Sequence, residues 1–156
     1  MFKSFTFATA AAALTLAAGS AFAAPSDDAR THFQAIASGD TQIVMRAYAD
    51  QAQLNWVGGP LDGTYTNADA IRATWEKFGK AVGPLKLSIG QIEESANPKG
   101  ATVSANLLFE GKAPIKVRYV LTFRDGKIVN ETWQIDPKLH VALAATAETT
   151  GKSSTY

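Results

Sequence analysis

The chain has no cysteine and only two histidines, His32 and His140, among its 156 residues. The first absence excludes disulfide staples, thiolate nucleophiles and cysteine-ligated metals, and the second leaves too few imidazoles for an all-histidine metal centre. No cofactor is therefore expected. Charge of one sign is missing as well: 15 basic against 14 acidic residues leave +1, too small a net field to gather nucleic acid from a distance. Phosphate-loop, dinucleotide-binding and nucleophile-elbow patterns do not occur either. Function is left to carboxylates, amides, aromatic rings and the shape of a cavity.

What is present is enough apolar material, 46% of the residues, for one globular core and not two. The first 23 residues stand apart from it. One cation, Lys3, precedes the apolar run from Phe5 to Ala18, and small residues around Ala21-Phe22-Ala23 offer a peptidase site. This reads as a secretory signal peptide. The run is shorter than the roughly 20 residues a membrane span needs, so no membrane span is expected in the mature form. The Lys-then-Ala-rich style suits a bacterial periplasm. Cleavage there leaves a neutral chain of 133 residues without disulfides, whose stability must come from packing.

Within the mature chain, Ser26-Asp27-Asp28 offers a helix start, Ala29, Phe33 and Ile36 recur at helical spacing, and Gly39 stops the helix. Asp40 caps a second helix read over Thr41 to Tyr48, and a strand is read over Ala52 to Val57. After a turn-rich link through Gly58-Gly59-Pro60 and Asp62-Gly63, a third helix runs from Ala68 to Ala81, with Ile71, Trp75 and Phe78 on one stripe. From Leu85 onward the period becomes two. Strands with Leu85, Leu87 and Ile89, then Val103 to Phe109, then Ile115 to Phe123 and finally Ile128 to Ile135 are separated by turns at Asn97-Pro98-Lys99-Gly100, Glu110-Gly111-Lys112 and Asp125-Gly126. Helices first and a meander after predict an α+β domain over residues 24–137, its helices on one face of a curved, mainly antiparallel sheet. Residues 138–156 read as a tail, with a short helix around Leu139 to Ala145.

This order resembles the nuclear transport factor 2-like superfamily, and most closely its polyketide cyclase (SnoaL-like) and ketosteroid isomerase branch. Ser38-Gly39-Asp40, Tyr48-Ala49-Asp50, Gly63, Tyr65, Ala70-Ile71, Trp75, Asp125-Gly126-Lys127-Ile128-Val129, Trp133 and Asp136-Pro137 carry the resemblance, which spans about Ala29 to Pro137. It implies a cone enclosing one apolar pocket and a homodimer formed through the sheet's outer face. It does not imply an activity, because such folds host enzymes and binders alike. In the isomerases a carboxylate near the end of the first strand moves the proton. The matching position here falls at or beside Asn55-Trp56, and neither side chain serves as a base at neutral pH. The strand expected to supply a second, neutral acid carries Lys116, Arg118 and Tyr119 instead.

The primary expectation is thus an exported protein that binds a small hydrophobic molecule, with no evident catalysis. Its candidate pocket residues are Trp56, Tyr48, Tyr65, Trp75, Phe109 and Trp133. The alternatives are a cofactor-independent isomerase, cyclase or hydrolase using Glu131 or Asp136 with Tyr119, and a structural dimerisation domain. Glu131 and Trp133 share one strand face; Asn130, Thr132, Gln134 and Asp136 share the other. Which of them points inward is open, and a solvated Glu131 is the more ordinary outcome. His32 falls among polar helix residues, and neither histidine has a partner legible in the sequence. Lys116 and Arg118 form either an anion site or a solvated outer face.

Overall fold

A computed structural model describes residues 23–142. The expected signal peptide, apart from Ala23, and the tail beyond residue 142 lie outside these. Helix α1 (Pro25–Ser38) starts on Pro25 rather than on a Ser26 cap, since the fixed φ of proline suits a first helical position. Asp27 and Asp28 occupy its first turn, and Gly39 ends it in the left-handed conformation, φ 75°. Helix α2 (Thr41–Arg46) opens on Asp40, whose carboxylate accepts the Ile43 amide at 3.0 Å. It stops two residues before the expected end, because Tyr48 is already paired in the sheet.

Six strands form one sheet in the order β2-β1-β6-β5-β4-β3. They are β1 (Tyr48–Val57), β2 (Gly63–Tyr65), β3 (Lys86–Asn97), β4 (Gly100–Glu110), β5 (Pro114–Arg124) and β6 (Lys127–Ile135), with α3 (Ala68–Val82) between β2 and β3. The short β2 lies where a turn-rich link was expected, paired antiparallel to Leu54-Asn55-Trp56. β1 runs parallel to β6, and every other pairing is antiparallel. The three expected turns all join neighbouring strands, so the meander is as read.

The inner face follows the two-residue period. Ala101, Val103, Ala105, Leu107 and Phe109 of β4, with Val117, Tyr119, Leu121 and Phe123 of β5, are all buried. On the helices Phe33, Ile36, Ile71, Trp75 and Phe78 meet them. α1 lies over β3 and β4, while α3 packs on β1. Two irregularities set the interior. The span from Tyr48 to Gln53 in β1 faces only Ile128 to Asn130 of β6, a pronounced bulge. In β6 itself Val129 is an extra residue, because Thr122 pairs with Asn130 and the next residue, Phe123, with Ile128. Past β6, residues 137–142 form no helix; they reach β3, where a Cβ on Gly90 would meet Val141 at 3.0 Å.

Candidate functional site

The extra residue at Val129 decides what the interior contains. Ile128 faces inward, so unbroken alternation would bring Asn130, Thr132 and Gln134 inside. The bulge reverses the phase, and Glu131 and Trp133 point into the core with no exposed surface at all. A carboxylate sealed in an apolar interior needs hydrogen-bond donors, and three converge on it. The Tyr119 hydroxyl, two positions off the Leu121–Glu131 pair, donates to Oε1. His32 of α1, 1% exposed, places Nε2 3.1 Å from the same oxygen. Tyr48, carried inward at the β1 bulge, donates to Oε2, and its own oxygen accepts Trp75 Nε1–H at 2.8 Å.

These five side chains come from five elements, α1, α3, β1, β5 and β6, and tie the cone together at its centre. With Glu131 as acceptor of all three bonds, His32 donates through Nε2, and its buried Nδ1 has no partner among the described residues. Burial, and then the neighbouring Glu131 charge, pushes the Tyr48 hydroxyl well above its usual pKa, so it remains a donor.

Beside this cluster the three tryptophans meet. Trp133 is stacked between Trp56, with ring centroids 4.6 Å apart, and Phe109 at 5.2 Å; Trp75 and Phe78 approach its ring edge-on. The rings therefore pack the interior. Trp56 and Trp133 each bury an indole N–H with no acceptor among the described residues.

An open cavity lies outside this aromatic layer, between the end of α3, the link before β2, and the rim where β5 begins and β6 ends. It is a cleft of about 750 Å³, within the range of small-molecule sites. Trp56, Leu61, Phe78, Val82, Ile115 and Ile135 supply most of its wall, and Lys77 and Lys116 are its only charged lining residues among those described.

Of the six aromatic residues expected around a pocket, Trp56 alone borders this cleft. Tyr48, Trp75, Phe109 and Trp133 lie buried beneath it, and Tyr65 supports its edge by donating to the Leu61 carbonyl at 2.8 Å. Of the three expected acid-base groups, Glu131 and Tyr119 are joined directly. Asp136 is not with them: it follows β6 at the rim, half-buried, 4.0 Å from Arg118. His32 is the residue the sequence reading missed. Its position one step before Phe33 on the buried face of α1 is the signal that was available.

A family model described as the SnoaL-like domain matches residues 29–131. The chain belongs to that family. No curated protein matches it at a significant level. Among solved structures, a nuclear transport factor 2-like protein of unknown function from Pseudomonas putida KT2440 is 18% identical, with a TM-score of 0.61 over 76% of this chain and 90% of that one. A protein from Kribbella flavida DSM 17836 is 22% identical, with a TM-score of 0.59 over 72% and 86%. A de novo designed protein with a curved β-sheet reaches the same score at 15% identity, over 72% and 85%. The fold is thus the nuclear transport factor 2-like α+β cone, and the presence of a designed chain among its likenesses underlines that the architecture alone carries no activity.

Proposed function

We propose that this is an exported small-molecule-binding protein whose ligand occupies the apolar cleft floored by Trp56 and Phe78. One observation carries the reading: this cleft and the buried acid-base cluster around Glu131 are in different places. Among the described residues the cleft wall holds no Asp, Glu, His or Tyr, whereas Glu131, Tyr48, Tyr119 and His32 are buried behind the tryptophan layer and hydrogen-bonded together through the Glu131 carboxylate. A carboxylate with every oxygen engaged and no exposed surface is a scaffold element, and binding in the cleft needs no proton transfer.

Binding of the neutral fluorophore N-phenyl-1-naphthylamine tests the site. The native protein should enhance its emission, and Ala81→Trp, which places an indole into the cleft from the exposed flank of α3, should abolish the enhancement. No enhancement by the native chain, or enhancement indifferent to Ala81→Trp, refutes the site. Export rests on the pattern of residues 1–23, and a mature product beginning at Ala24 in a periplasmic fraction is its check. The fold family also supports a homodimer, read by light scattering.

A second reading is motivated by the three donors on Glu131 together with the unpartnered Nδ1 of His32. If the Trp56–Trp133 layer opens to a substrate, Glu131 becomes a base flanked by two tyrosine donors, in a cofactor-independent isomerase, cyclase or hydrolase. Turnover of a small hydrophobic substrate that is lost in Glu131→Gln while the fold is retained would establish it; unchanged turnover would remove Glu131 from the reaction.

A further inference from the structure

We infer that the cleft selects an amphiphilic anion, a free molecule with an apolar body and one carboxylate head; this rests on the cleft being the ligand site. Among the described residues the wall is apolar except at two points, Lys77 from α3 and Lys116 from β5, so cations enter from both sides and no acid lines the space between. Among the described residues neither lysine lies within 4.0 Å of a carboxylate.

Two neighbouring acids, one beside each lysine, are engaged or directed elsewhere. Asp136, beside the rim, faces Arg118 and accepts the Lys138 amide at 3.1 Å. Glu76 lines a different groove, with Gly79 and Lys80, on the other flank of α3. Lysine stems lie readily along apolar surface while holding the ammonium at its edge. A neutral chain of atoms would gain only from the wall, and a cation would be repelled at the rim. A carboxylate meets two positive charges that no described acid pairs within 4.0 Å, on a protein whose overall charge is close to zero, so the preference is local to this cleft.

Decanoate and decan-1-ol, which share a chain and differ in the head, separate the two contributions when each displaces N-phenyl-1-naphthylamine at low ionic strength. Partly exposed ion pairs contribute about fivefold each in affinity, so decanoate should bind more than tenfold tighter than the alcohol. The ratio should shrink in 0.5 M salt and fall to near one in the Lys77→Gln/Lys116→Gln double variant. Equal binding of acid and alcohol, or a ratio untouched by the double variant, overturns the anion inference and leaves the cleft as an apolar site. Failure of the fluorophore and both decyl compounds to bind overturns the cleft itself. Binding to phosphatidylglycerol vesicles that free decanoate does not compete away also overturns the inference, in favour of a membrane surface.

Discussion

Replacing Tyr48 by Phe should destabilise the fold more than replacing Tyr119 by Phe, although both remove one hydroxyl from the same carboxylate. Glu131 Oε1 accepts from both Tyr119 and His32, so Tyr119→Phe leaves that oxygen with the imidazole. A hydrogen bond to a charged group contributes about 2 kcal/mol, and the expected loss is of that size. Oε2 has Tyr48 as its one donor among the described residues, and the Tyr48 oxygen is also the acceptor for Trp75 Nε1–H. Tyr48→Phe therefore removes the bond, bares a buried carboxylate oxygen and strands a buried indole N–H. Adding about 1 to 2 kcal/mol for those unsatisfied groups gives about 3 to 4 kcal/mol. For a domain of this size about 4 °C in Tm accompanies each kcal/mol, so Tyr119→Phe should lower Tm by about 8 °C and Tyr48→Phe by about 12 to 16 °C. Urea unfolding monitored by tryptophan emission, paired with calorimetry, measures both. Equal losses, or a Tyr48→Phe loss below about 1 kcal/mol, would refute the claim that this network ties the cone together.

Other consequences follow from the same geometry. Tyr48 has a folded pKa held well above 10.0, so its contribution is intact below pH 10 and declines above it, as the unfolded chain ionises and the folded chain does not. Stability should fall by up to about 1.4 kcal/mol per pH unit from this residue, and the difference between native and Tyr48→Phe unfolding curves should narrow between pH 10 and 11.5. Gly100 sits at φ 153°, and a Cβ there would lie 2.2 Å from the Phe123 carbonyl oxygen, so Gly100→Ala should cost about 3 kcal/mol in a urea titration. Asp136→Asn removes the charge of a 4.0 Å rim pair with Arg118 but keeps a side-chain oxygen to accept the Lys138 amide, and should change unfolding free energy by less than about 0.5 kcal/mol, in contrast to any change at Glu131.

The periodic parts of the chain declare themselves in one dimension. Asp40 and Gly39 bound the first two helices because caps act within three or four residues of themselves. Alternation in residues 103–109 and 115–123 assigns the inner face of two strands, since a side chain's direction in a regular strand depends only on parity. Turn chemistry and helix-then-meander order then suffice for the nuclear transport factor 2-like cone. Absence of cysteine and scarcity of histidine likewise bound the chemistry without any coordinates.

The site needed the tertiary structure, because parity fails wherever a strand gains a residue. Nothing local marks Val129 as extra; the shift exists only in its pairing with Thr122 and Phe123, residues of another strand. That single offset turns Glu131 inward, where burial forces it to recruit Tyr48, Tyr119 and His32 from elements as many as 99 positions away in sequence. Whether three tryptophans line a cavity or fill one is likewise a matter of volumes contributed by separate elements. Here Trp133 closes the interior against Trp56 and Phe109, and the open space moves to the rim beside Lys77 and Lys116.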